Sequence, residues 1–120
     1  MIARLFISIF FLGFISSCQT QYPVRSCFSP DGGCDEELVS LIRKSRRKLD
    51  VAVFDVTHPQ IVHEILLASK RSQVRILVDR RQSKGKHSLV STLIRAGLPV
   101  RSGKQRGIMH HKFVIVDGEE

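Results

Sequence analysis

"LDVAVFDVTHPQIVHEILLASKRSQVRILVD", Leu49 to Asp79, decides how this chain folds. Its opening segment, 49–56, is valine-rich and largely apolar, the composition of a strand buried on both faces of a parallel sheet. The closing segment, 73–79, has the same character. Between them Pro59 stands where a helix begins, with Thr57 or His58 placed to cap it. Ile61, Val62, Ile65 and Leu66 then recur at helical spacing and form an inner face. Strand, helix and strand in that order ask for parallel strands joined by a crossover helix.

The pattern extends in both directions. Upstream, "SPDGG" at 29–33 is turn chemistry. Asp35 is expected to cap a helix whose first turn holds Glu36 and Glu37, both favourable at the positive end of a helix dipole. Leu38, Leu41, Ile42 and Leu49 keep an apolar stripe, and "RKSRRK" at 43–48 is expected to supply the solvated face. Downstream, "RRQSKGK" at 80–86 reads as a basic loop. A third helix from about Ser88 is expected to bury Leu89, Val90, Leu93 and Ile94, with Gly97 ending it. "LPVRS" at 98–102 and "HKFVIVD" at 111–117 complete the strands, with the turn "GKQRG" at 103–107 between them. The fold class is therefore α/β, with a mixed, mostly parallel sheet flanked by helices.

The chain has 120 residues, enough for one small domain, and its 42% hydrophobic content excludes a disordered chain. The formal charge is +8 and the pI about 10.0. That balance favours a polyanionic partner, either nucleic acid or the headgroups of anionic phospholipids.

The N-terminus reads differently. Arg4 is followed by an apolar run from Leu5 to Ile15, interrupted by Ser8 and Gly13. As a helix this run would rise about 16 Å, well short of the roughly 30 Å hydrocarbon core of a bilayer. Ser16 and Ser17 precede Cys18, so residues 1–17 have the layout of a secretory signal. "ISSC" also resembles a bacterial lipobox, which would place a lipid on Cys18. Plain secretion and an uncleaved anchor are the alternatives. The expected organisation is a signal at 1–17, a tether at 18–27 and a domain at 28–120. The expected location is outside the cytoplasm, in the periplasm or on the outer membrane of a bacterium.

Export bears on the other cysteines. Cys27 and Cys34 bracket "CFSPDGGC", and in an oxidising compartment a disulfide closing this turn is expected, with free thiols as the alternative. A zinc site would need two further ligands at suitable spacing, which the sequence does not offer. No cofactor is read from the sequence.

The chemistry concentrates in "GIMHHKFVIVDG", Gly107 to Gly118. His110, Lys112 and Asp117 fit the pattern HxKxxxxD. On an extended backbone His110 and Lys112 point to one face, while His111 and Phe113 point to the other. An imidazole can attack phosphorus or move a proton, and a neighbouring ammonium can neutralise a non-bridging oxygen. His111, on the opposite face, is expected to be a packed or hydrogen-bonded structural residue. His58, His63 and His87 are isolated in the sequence, with His63 on a helix surface.

This motif resembles the HKD motif of the phospholipase D superfamily, and especially its small single-motif bacterial endonucleases and cardiolipin hydrolase-like members. The flanking segments from Phe28 onward are similar as well. The resemblance implies a metal-independent phosphodiesterase working through a phosphohistidine. It implies His110 as nucleophile or acid, Lys112 as the phosphate-binding cation and Asp117 as a supporting carboxylate. It also implies a homodimer that brings two motifs together. Family members continue past the aspartate into a hairpin, a GSxN-type segment and a terminal helix, whereas this sequence reads to "DGEE". The expectation is thus of a domain lacking its C-terminal part, with an open sheet edge. A non-specific endonuclease is the leading function. A phospholipase acting on diester lipids is the runner-up, and an inactive homologue serving as a binding or envelope protein is the third.

Overall fold

In the computed structural model, residues 24–103 and 107–118 are described. The expected signal at 1–17, Cys18, most of the expected tether and the last two residues lie outside them. Three helices and four strands alternate: α1 Cys34–Arg43, β1 Lys48–Val53, α2 Pro59–Ala68, β2 Gln73–Val78, α3 Val90–Arg95, β3 Val100–Ser102 and β4 Lys112–Val116. A single 3₁₀ turn, Gln82–Lys84, follows β2. The strands form one sheet in the order β3-β2-β1-β4. β1, β2 and β3 run parallel, and β4 is antiparallel to β1.

Register explains the burial. Val114, Val51, Ile76 and Val100 lie in one row across the sheet, with Val116, Leu49 and Val74 in the next row on the same face. Ile42 from α1, Val62, Ile65 and Ala68 from α2, and Val90 and Leu93 from α3 pack against these residues as one core. Fully burying each of the valine, leucine and isoleucine side chains contributes about 1.5–3 kcal/mol. On the other face, Phe113, Ala52, Leu77 and Arg101 form a row beside Ile115, Asp50 and Arg75. The described residues leave that face uncovered: Leu77 and Phe113 are 38% and 48% exposed. The helices thus flank the sheet on one side.

Several local expectations change. α1 begins at Cys34 behind Gly33, whose φ of 64° places the backbone where glycine is favoured, so Asp35 sits in the first turn and does not cap. α1 also stops at Arg43, so "RKSRRK" is not a helix face: Ser45 is fully buried, and the segment turns the chain into β1. The last carbonyls of α1 are satisfied from outside, because the Arg71 guanidinium donates to the carbonyls of Ile42, Arg43 and Ser45 at 3.0–3.2 Å. Leu41 at the end of this helix is 41% exposed, and Ile94 of α3 is 57% exposed. Pro59 does open α2, with His58 at its cap position. Gly97 does end α3, at φ 83°, with the Gly97 and Leu98 amides donating back to Ile94 and Leu93. Cys27 and Cys34 are joined by a disulfide, with their Cα atoms 5.5 Å apart.

Candidate active site

β1 and β2 end side by side, and β4 begins beside the end of β1. The pairing places Lys112 opposite Val53 and Val53 opposite Val78. His110 comes just before β4, so it lies beyond the carboxyl ends of the parallel strands, where ligands bind in open α/β sheets. Lys112 Nζ sits 3.0 Å from His110 Nε2 and also donates to the His110 carbonyl at 3.2 Å. An ammonium can only donate, so a hydrogen bond at this contact requires the imidazole tautomer with its lone pair on Nε2. Phe54, just past β1, supports both groups: its ring centroid is 4.8 Å from that of His110 and 5.2 Å from Lys112 Nζ. The ammonium over the ring is a cation–π contact.

Asp79 follows β2 directly and is 5% exposed. One carboxylate oxygen accepts the backbone N–H groups of Arg81 at 2.8 Å and Gln82 at 3.0 Å. The other accepts the N–H of Met109, the residue before His110, at 2.9 Å. These donors, first Gln82 and then Met109, hold the carboxyl below its ordinary range. Arg80 and Arg81 line a cleft of about 440 Å³ together with Gly107, Ile108 and Met109. Asp79 and Phe54 were not singled out by sequence. The available signal was an aspartate closing an apolar strand ahead of a loop, where its side chain can bond the backbone two residues on.

Asp117 lies at the opposite end of β4, roughly 20 Å from His110 at about 3.3 Å per extended residue. Its carboxylate accepts backbone N–H groups from Arg46 at 3.0 and 3.1 Å, Arg47 at 2.6 Å and Lys48 at 2.9 Å. Those bonds, the Lys48 one foremost, lower its pKa. The motif's carboxylate therefore fixes the turn into β1 and does not meet the imidazole. His111 shares the far face with Phe113, their ring centroids 6.1 Å apart, but it is exposed, so the expectation of a packed structural histidine is corrected. The cause is the uncovered sheet face on that side. His58 lies near Asp35, Nε2 to Oδ2 at 3.5 Å, and His63 and His87 are exposed.

An imidazole and an ammonium held together at the carboxyl ends of parallel strands are suited to chemistry on a phosphate group. The family described as "Cardiolipin synthase, PLD-like domain" matches residues 38–120. The chain belongs to this family, within the phospholipase D superfamily. It is 33% identical over 101 residues to the mitochondrial cardiolipin hydrolase of Xenopus tropicalis, covering 81% of this chain and 48% of that protein. It is also 33% identical over 95 residues to a phospholipase D of Rickettsia conorii, covering 78% and 48%. The chain spans about half the length of these curated relatives. Among solved structures, it superimposes on the phospholipase D family member Nuc from Salmonella typhimurium with a TM-score of 0.70 and 28% identity, covering 76% of this chain and 62% of that one.

Proposed function

We propose that this protein hydrolyses phosphodiester bonds of nucleic-acid backbones, with His110 as nucleophile and Lys112 as the phosphate-binding cation. The observation that carries this reading is the 3.0 Å contact between Lys112 Nζ and His110 Nε2. When a phosphodiester enters, the ammonium turns from Nε2 to a non-bridging oxygen and frees the lone pair. Nε2 bonds to phosphorus, and the bond from phosphorus to one ester oxygen breaks. That oxygen takes a proton from a second imidazole, supplied by another copy of the chain in a homodimer. Water then attacks phosphorus and gives its proton to that imidazole. The phosphorus–nitrogen bond breaks, returning the lone pair to Nε2. The exposed arginines and lysines favour a polyanion, since backbone binding needs charge more than base-reading groups. Export, with a lipid on Cys18, belongs to the same proposal.

The test is a short quench of the reaction with bis(p-nitrophenyl) phosphate, followed by mass spectrometry of the intact protein. A phosphoryl adduct should map to His110, and cleavage should persist in EDTA. Turnover that survives His110→Ala would overturn the assignment.

A lipid diester is the second reading. An apolar cavity of about 210 Å³, lined by Leu38, Ile42, Val53, Ile61 and Val114, reaches Lys112 and suits an acyl chain. Relatives named cardiolipin hydrolase and phospholipase D point the same way. Binding of a nucleic-acid duplex should weaken steeply as salt rises. A flat salt response, with phosphatidic acid released from cardiolipin vesicles, would favour the lipid.

A further inference from the structure

We propose that Asp79 is a positioning residue for the phosphodiester site: a single carboxylate sets the basic loop 80–86 and the His110 segment in one register. This rests on the function proposed above. Asp79 is nearly fully buried, and its two oxygens serve different pieces of chain. One holds the Arg81 and Gln82 amides at the start of the basic loop, and the other holds the Met109 amide. Met109 is covalently next to His110, so fixing its amide fixes the backbone from which the imidazole projects. Among the described residues, the imidazole's other contacts are the edge of Phe54 and the Lys112 ammonium. The ammonium must leave Nε2 when a phosphate arrives. The Asp79 bond to Met109, with the edge of Phe54, then keeps Nε2 aimed at phosphorus. The same carboxylate keeps Arg80 and Arg81 on the wall of the cleft that Met109 also lines, so phosphate drawn to these cations arrives beside the imidazole.

An isosteric change separates this role from simple turn-capping. Asparagine has one acceptor oxygen and one NH₂ group. It can serve the loop amides or the Met109 amide, but its NH₂ then faces an N–H on the other side. Asp79→Asn should therefore uncouple the two segments while preserving shape.

The experiment uses the full-length protein with ¹⁵N-labelled histidine, the His110 side-chain resonances being assigned by comparison with His110→Ala. In a folded Asp79→Asn protein these resonances should shift. kcat on bis(p-nitrophenyl) phosphate should fall about 10–100-fold, as expected when a reacting group is misplaced by up to an ångström, with KM little changed. Asp79→Glu keeps the charge and both acceptors but overreaches by a methylene, so it should shift the same resonances less. If Asp79→Asn does not fold, the glutamate variant decides. Unmoved His110 resonances in a folded variant overturn the proposal whatever the rate. Full activity in His110→Ala would instead overturn the functional reading, while the resonances of Asp79→Asn would still test the clasp.

Discussion

At the scale of single residues, the 3.0 Å contact between Lys112 and His110 lets the proposed roles of the two groups be tested separately. Lys112→Met should lower kcat/KM by about 10²–10³-fold, the usual cost of removing one charge-stabilising donor. Binding of inorganic phosphate, followed by NMR, should weaken in parallel; unchanged turnover would remove Lys112 from the site. His111→Ala should leave turnover near that of the parent protein, because its exposed ring faces away from Lys112. The i, i+2 geometry of an extended backbone made the pairing of His110 with Lys112, and of His111 with Phe113, readable from "MHHKF". What the spacing could not tell was depth. Whether His111 is packed depends on what covers the far sheet face, and that is a tertiary property.

At the scale of elements, Asp117 and Asp79 do comparable work at opposite ends of the sheet. Each is a carboxylate bonded to several backbone amides, and each is held below the ordinary value of 3.8. A carboxyl depressed on folding contributes stability that is present above its unfolded value and lost as pH falls through its folded value. The protein should therefore lose stability below about pH 4. Asp117→Ala should lower the melting temperature at pH 7. Its melting temperature should approach that of the parent protein as pH falls through the folded-state value of Asp117, where the parent's carboxylate becomes protonated. Parallel curves across that range, followed by circular dichroism, would mean that the amide bonds are not what the carboxylate contributes. Asp117 itself adopts φ 58°, a left-handed conformation that aspartate tolerates better than most residues. Sequence located this residue but not its role. The pattern HxKxxxxD suggests three groups acting together, whereas five residues of β4 carry the aspartate to the other end of the sheet. The stop of α1 at Arg43 was hidden for a related reason. Arg71, distant in sequence, satisfies the carbonyls left open at that end.

At the scale of the whole molecule, the alternation of apolar strands and amphipathic helices was enough to give the class and the mixed sheet. The pairing of β4 with β1, and the packing of every helix on one face, needed the three-dimensional arrangement. The disulfide ties the segment before α1 to its first residue across a separation of seven residues. Closing a loop of that size constrains the unfolded chain by roughly 2–3 kcal/mol. Cys27→Ser should cost about that much in urea unfolding, and adding a reductant to the parent protein should cost the same. No difference between oxidised and reduced protein would mean that the bridge constrains nothing the fold does not already hold.

The clasp between Asp117 and residues 46–48 has a bearing on synthesis. A ribosome delivers β1 first, then β2 and β3, each of which pairs with the strand made just before it. β4 must reach back across roughly sixty residues to lie against β1. Closing so long a loop is entropically costly until the strand's own hydrogen bonds repay it. By that order the segment bearing His110 should be among the last pieces to settle, after the strands that frame it.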